Sequence, residues 1–134
     1  MRKKKCFMYY ERERNADLYK TIMSVFSERN GLSFNDVFRE AVRRPAKRFY
    51  VTPEVAAHVL SEKMRGNNVR SSDTKTEMYE EILKRASVLM ESGKTLKEAC
   101  AIVVMQPAPS FYISPNYAKV VFFKIRSGWY RDRK

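Results

Sequence analysis

Hydrophobic residues recur every three or four positions in two stretches before residue 45, the spacing of helices that bury one face. The first predicted helix runs from about residue 16 to 29 and starts after Asn15, a residue type common at helix caps. The second opens after Ser33, because a hydroxyl followed three positions later by the carboxylate of Asp36 is typical of a helix start. Pro45 ends it, since the residue before a proline avoids helical backbone.

A third helix is predicted to start at Thr52. There a capping hydroxyl is followed by Pro53, at the first helical position, and by Glu54, an acid that the helix dipole favours. Gly66 closes this helix, and the polar, aperiodic residues that follow indicate a linker. The same order of apolar stripes and breaks then returns, which predicts three more helices. Their predicted capping residues are Thr74, Thr95 and Ser114.

The two helical trios also match residue by residue. The segment from Pro45 to Pro53, PAKRFYVTP, returns 62 residues later as PAPSFYISP, and Gly31 and Gly66 fall on Gly93 and Gly128 at the same offset. We therefore predict an all-α protein made of two copies of one three-helix unit. The predicted parts are a basic arm 1–15, a first repeat 16–66, a linker 67–75, a second repeat 76–128 and a basic tail 129–134.

The repeated aromatic segment lies between the second and third helix of each copy. Its Phe-Tyr-Val and Phe-Tyr-Ile runs are typical of extended backbone, and the flanking prolines exclude a helix, so a short extended stretch is predicted in each copy. In one interpretation Phe49 and Phe111 fill the helical core. In the other, Tyr50 and Tyr112 face outward and contact a phosphate or stack on a base.

The balance of charge indicates a polyanionic partner. The 134 residues contain 27 Lys and Arg against 15 Asp and Glu, a net charge of +12, and the excess is shared between the two halves of the sequence. Nucleic acid is the commonest partner of so basic a chain. No apolar stretch approaches the length of a membrane span, and two cysteines with one histidine are too few for a zinc site. We expect a cytoplasmic protein without metal or cofactor.

Enzymatic activity is the least supported class. No nucleophile stands beside a candidate base in a recognisable motif, and no glycine-rich phosphate loop occurs among only four glycines. No carboxylate cluster indicates metal-assisted catalysis. The sequence therefore predicts a protein that binds rather than one that catalyses.

Five cations gather at the end of the second helix and in the loop that follows. Placed together, they can hold phosphates without reading sequence. The alternative is a solvated surface whose cations lie favourably at a helix C-terminus. The corresponding positions of the second repeat are uncharged. The five residues are Arg39, Arg43, Arg44, Lys47 and Arg48.

With three helices in each copy and a third helix that starts at a sharp turn, the layout resembles tandem Myb-like or homeodomain-like helix-turn-helix repeats. The resemblance implies that each third helix enters the major groove with its N-terminal residues at base edges. In the second repeat that would place Asn116 against an adenine and Lys119 against a guanine, with Lys124 also on the outward face.

The leading hypothesis is a non-enzymatic protein that binds double-stranded DNA, as a transcription regulator or as an accessory factor of a mobile element or phage. The rival hypothesis is a protein interaction module built from duplicated helical lobes, with the charge serving solubility. Binding of RNA or single-stranded DNA through Tyr50 and Tyr112 is a third option. A homodimer is compatible with each of them.

Overall fold

The computed structural model describes residues 10–28, 31–67 and 73–128. These ranges contain no β-strand, so the prediction of an all-α fold is confirmed. Most of the predicted basic arm, most of the predicted linker and the predicted basic tail lie outside the described residues. The helices are α1 Glu11–Ser27, α2 Phe34–Val42, α3 Pro53–Met64, α4 Asp73–Glu91, α5 Leu96–Val103 and α6 Pro115–Arg126.

Hydroxyl side chains cap four of these helices as predicted. Ser33 Oγ accepts a hydrogen bond from the backbone N–H of Asp36 at 3.2 Å, and Thr52 and Ser114 cap α3 and α6 in the same way. At Thr95 the capping box is complete, because the Thr95 N–H also donates to Glu98 Oε1 at 2.9 Å. That backbone hydrogen bond lowers the pKa of Glu98 below its usual value.

Two predicted helix starts are wrong. Helix α1 begins at Glu11, so Asn15 lies inside it and is buried, with its Oδ1 accepting from Arg14 Nε at 3.1 Å. The acids of the first turn, Glu11 among them, favour the earlier start because they complement the helix dipole. Helix α4 begins at Asp73, which places Thr74 within the helix instead of at its cap.

The six helices form two compact units. The split unit combines Met1–Ala46 with Pro109–Lys134 and so contains α1, α2 and α6. The continuous unit is Lys47–Ala108 and contains α3, α4 and α5. This grouping differs from the predicted repeats 16–66 and 76–128, because the third helix of each repeat packs with the first two helices of the other.

An aromatic cluster shows why α6 packs with α1 and α2. The Phe122 ring of α6 lies 5.7 Å from Phe26 of α1 and 5.5 Å from Phe38 of α2, measured between ring centroids. Tyr19 also stacks on Phe122, with the ring centroids 5.7 Å apart. Each such aromatic pair adds about 0.5 to 1.5 kcal/mol beyond the area it buries. At the position that corresponds to Phe122, helix α3 has Leu60 and could not rebuild this cluster.

The core of the continuous unit is mainly aliphatic. Val59 and Leu60 of α3, Ile82 of α4 and Val103 of α5 are all buried. Cys100 is fully buried among them, as expected of a small hydrophobic residue, and burial raises the pKa of its thiol.

In each unit, the repeated aromatic segment of one sequence repeat is hydrogen-bonded to the end of a helix from the other repeat. The Phe49 N–H donates to the Val104 carbonyl at the end of α5 at 3.1 Å, and the Phe111 N–H donates to the Val42 carbonyl at the end of α2 at 3.0 Å. Both phenylalanine side chains are buried, which confirms that they fill the core. Each bond lies within one unit.

The prediction that these segments are extended is wrong. The Val51 N–H donates back to the Phe49 carbonyl at 3.0 Å, which is a tight turn. Tyr112 has a φ of 57°, in the left-handed region, while its N–H donates to Ser110 Oγ at 3.0 Å. The aromatic side chains therefore enter the core from turns.

Helix bounds repeat at the offset seen in the sequence. Helices α3 and α6 are both 12 residues long and start 62 residues apart, at Pro53 and Pro115. Gly66 and Gly128 follow them with the same positive φ of 85°, which an L side chain rarely adopts. A common origin for the two halves stays a prediction. Within the described ranges, no helix is both long and apolar enough to cross a membrane.

Candidate nucleic-acid interface

The split unit has a cleft between the start of α2 and the start of α6. Its volume is about 310 Å³, and three of the predicted contact residues meet there although they come from different repeats. We call it the α2–α6 cleft. It is lined by Asn35, Phe38, Arg39, Pro115, Asn116 and Lys119.

Lys119 is held over the cleft by two contacts. Its Nζ donates to Asn35 Oδ1 at 2.9 Å and lies 5.5 Å from the centroid of the Phe34 ring. Both partners belong to the first turn of α2, so the lysine that sequence analysis placed on a separate lobe lies beside α2. A cation–π contact at an exposed ring contributes about 0.5 to 1 kcal/mol, which orients the ammonium group without burying it.

Arg39 lines the same cleft from the next turn of α2. Its Nη1 contacts Asp36 Oδ1 at 3.1 Å, and both side chains are exposed. An exposed ion pair of this kind contributes about 0 to 1 kcal/mol. A phosphate or a base edge can therefore compete with Asp36 for the guanidinium group.

The first turn of α6 is fixed in place by α1. Arg14 Nη2 donates to Tyr117 Oη at 3.0 Å, and the Arg14 guanidinium lies 5.2 Å from the centroid of the same ring. Arg14 is itself buried, at the start of α1. Asn116, the neighbour of Tyr117, is exposed on this anchored turn. The side chains offered to a ligand thus stand on a rigid element.

The Arg44 guanidinium is paired with two carboxylates of the split unit. Its Nη2 donates to Glu28 Oε1 at 2.8 Å, and its Nε donates to Glu40 Oε2 at 3.0 Å. These two carboxylates, Glu28 foremost, raise the pKa of Arg44 above its usual value. The prediction that Arg44 contacts a ligand is therefore not supported by its geometry. Arg43, at the C-terminal cap of α2, is exposed.

The remaining predicted cations are dispersed. Lys47 and Arg48 belong to the continuous unit, where the Arg48 guanidinium lies 5.1 Å from the centroid of the Tyr50 ring. The five-residue basic cluster of the sequence is thus divided between the two units. Lys124 lies near the end of α6, eight residues from Asn116, which corresponds to about 12 Å along a helix axis.

The two tyrosines of the repeated segments are buried. Tyr50 is 5% exposed and Tyr112 is 9% exposed. An aromatic ring must offer a face to solvent before a base can stack on it. The prediction that these tyrosines project outward is therefore wrong.

The corresponding positions of the continuous unit lack this chemistry. Arg39 corresponds to Ala101, Lys119 to Ala57 and Asn116 to Glu54 at the offset of 62. A carboxylate thus replaces an amide, and two cations are absent. At the described positions that correspond to the α2–α6 cleft, the continuous unit therefore lacks the cations and the amide of the split unit.

The two units also differ in net charge, because each combines helices from both sequence repeats. The split unit holds 17 Lys and Arg against 7 Asp and Glu, a net charge of +10, whereas the continuous unit holds 10 against 8, a net charge of +2. Most of the excess of the split unit lies in residues 1–9, 29–30 and 129–134, outside the described residues. The two repeats of the sequence share the charge, but the two units do not.

Asn35 lines the α2–α6 cleft but is not among the site residues predicted from the sequence. The sequence shows it only as a polar residue in the first turn of α2. The structure shows that its Oδ1 accepts a hydrogen bond from Lys119 Nζ.

Among the residues that the structure describes, no three His, Cys, Asp or Glu side chains gather in a way that could hold a metal ion. Comparison of the chain with protein-family models, curated proteins and solved structures gives no significant match.

Proposed function

We propose that the protein binds double-stranded DNA through its split unit, with α2 on the phosphates and α6 as the recognition helix. The two helices are not consecutive in sequence, so they pack side by side without the short connecting turn of a helix-turn-helix motif. The observation that carries this proposal is the α2–α6 cleft, where Arg39, Asn116 and Lys119 meet on the more basic unit. The protein acts without catalysis, as a regulator or an accessory DNA-binding factor.

The first turn of α6 supplies the base contacts in this proposal. Asn116 can bond the N6 and N7 edge of an adenine, and Lys119 can donate to O6 and N7 of a guanine. Arg14 and Ser114 hold this turn, which keeps the two side chains at a constant spacing. Each good base contact contributes about 1 to 3 kcal/mol of discrimination.

Helix α2 supplies phosphate contacts. Arg39 and Arg43 are exposed, and residues four apart lie on one face of a helix. Phosphate contacts fix the register of a protein on the duplex but carry no sequence information. Helix α2 therefore fixes the position of the protein on the duplex, and helix α6 recognises the bases.

A rival function has its own support on the continuous unit. Ile102, in the last turn of α5, is 40% exposed, and Met105, two residues beyond the helix, is 62% exposed. Exposed apolar residues of this kind can contact another protein. In that case the chain is a protein interaction module. Binding of duplex DNA distinguishes the two proposals.

Alanine variants test the role of α6 on a duplex enriched from a random pool by repeated selection with the protein. Asn116→Ala and Lys119→Ala are each expected to weaken binding about 5- to 150-fold, the loss of about 1 to 3 kcal/mol. Fluorescence anisotropy at constant salt measures the Kd. The matched control is Lys97→Ala, which removes the same charge as Lys119→Ala from an exposed site in the continuous unit.

If Lys119→Ala and Lys97→Ala raised the Kd equally, charge alone would account for DNA binding, and α6 would make no specific base contacts. No enrichment of any duplex, together with self-association or a co-purifying protein, would favour the interaction module.

A further inference from the structure

Two apolar side chains lie on the outward face of α6 among its polar contacts. Val120 is 48% exposed and Phe123 is 51% exposed. At the corresponding positions α3 has the polar residues His58 and Ser61. The apolar character therefore belongs to the helix that also carries Asn116 and Lys119.

The Phe123 ring is held in a defined orientation. Its centroid lies 6.2 Å from that of Phe34 at the start of α2 and 5.4 Å from that of Phe122 in the core. Phe34 in turn is the ring beneath the ammonium group of Lys119. The apolar pair and the cationic cleft thus form one continuous surface of the split unit.

Helix geometry places the outward residues in line. Asn116, Val120 and Phe123 are separated by four and three positions, so they share one face of α6. Phe123 follows Asn116 by seven positions, which corresponds to about 10 Å along the helix axis. That length equals the rise of about three base pairs, at about 3.4 Å each.

We propose that Val120 and Phe123 contact the 5-methyl groups of thymines in the major groove, next to an adenine read by Asn116. The preferred partner of the site is then duplex DNA containing A·T pairs. This inference rests on the proposed function and names the base composition that the site selects.

The chemistry of the groove leads to this assignment. On the major-groove edges of the four base pairs, the thymine methyl is the apolar group, whereas the other groups are hydrogen-bond donors and acceptors. Exposed apolar side chains beside a cationic cleft gain nothing from phosphates. They gain from a methyl group, and burying one corresponds to a change in Kd of about fourfold.

Removing the methyl groups from the DNA tests the inference directly. The probes are two 24-base-pair duplexes, one of alternating dA and dT and one of alternating dA and dU, which carry the same charge and the same hydrogen-bonding edges. The unmodified 134-residue chain is expected to bind the thymine duplex at least about fourfold more tightly. The double variant Val120→Ser with Phe123→Ser, which removes both apolar side chains, is expected to bring the ratio of the two Kd values close to one.

Phe123→Leu is the control, because leucine keeps an apolar side chain and should retain most of the preference for thymine. The helical circular dichroism of each variant verifies its fold. Equal affinity of the unmodified protein for both duplexes, with binding still strong and weakened by salt, would overturn the inference and leave the proposed function standing. Absence of salt-dependent binding to either duplex would instead refute the proposed function.

Discussion

The affinity of the protein for duplex DNA is expected to fall about a thousandfold when the salt concentration rises from 50 to 200 mM. Cations that neutralise phosphates release condensed counterions, and about six such contacts produce a loss of this size. The split unit can supply them, since its net charge is +10 and Arg39, Arg43 and Lys119 lie on or beside the proposed face. Anisotropy titrations at several salt concentrations give the slope of log K against log salt.

The double variant Arg39→Ala with Arg43→Ala should reduce that slope by about two, one for each phosphate-neutralising cation of α2 removed. The control combines Lys84→Ala with Lys97→Ala, two exposed lysines of the continuous unit. A flat salt response of the unmodified protein would contradict the proposal. So would a slope that both double variants lower equally.

The fragment Lys47–Ala108 is expected to fold by itself, whereas a fragment of residues 16–66 is not. The first contains all three helices of the continuous unit in one stretch of chain. The second contains α1 only from Ala16 onward, together with α2 and α3, and lacks α6. It therefore lacks the Phe122 ring that packs against Phe26 and Phe38. Removing a buried phenylalanine alone costs about 3 to 5 kcal/mol, a large share of the stability of so small a unit.

Circular dichroism and thermal unfolding of the two fragments provide the comparison. Lys47–Ala108 should be helical and unfold cooperatively, though with modest stability, because a domain of about 60 residues buries only about 60% of its unfolded surface. The second fragment should show little cooperative unfolding. A stable, monomeric 16–66 fragment would show that the helices of one repeat are enough to form a folded unit. That result would contradict the packing of α6 with α1 and α2.

Helices and caps could be predicted from the sequence because their causes are local. Ser33 and Thr95 stand three residues from the backbone N–H groups that they accept from, so the pattern alone indicates the bond. The start of α1 was missed because Asn15 is a good capping residue by type. Its burial beside Arg14 depends on packing that no local pattern encodes.

The exchange of the third helices could not be predicted from the repeat. Helices α3 and α6 share one apolar pattern, so each fits either pair of partner helices by periodicity. A signal was nevertheless present in the residue types. Phenylalanines are concentrated in α1, α2 and α6, as Phe26, Phe38 and Phe122 show, whereas α3, α4 and α5 contain none.

The residues of the candidate site could be predicted from the sequence, but their arrangement in space could not. Asn116, Lys119 and Arg39 were each selected for their chemistry, yet they were placed on different lobes. Arg44 was selected for its charge, and its pairing with Glu28, sixteen residues away along the chain, is a tertiary contact. Charge and residue type indicate candidates, while only packing decides which of them meet.

Mapping the shifted backbone amides of labelled protein on addition of duplex DNA tests the central claim most directly, namely that α2 and α6 together form one DNA-binding face. We expect the amides of Arg39, Asn116 and Lys119 to shift together as DNA is added. Their counterparts Ala101, Glu54 and Ala57 in the continuous unit should remain in place. Shifts shared equally by both units, or confined to the chain ends, would contradict the account.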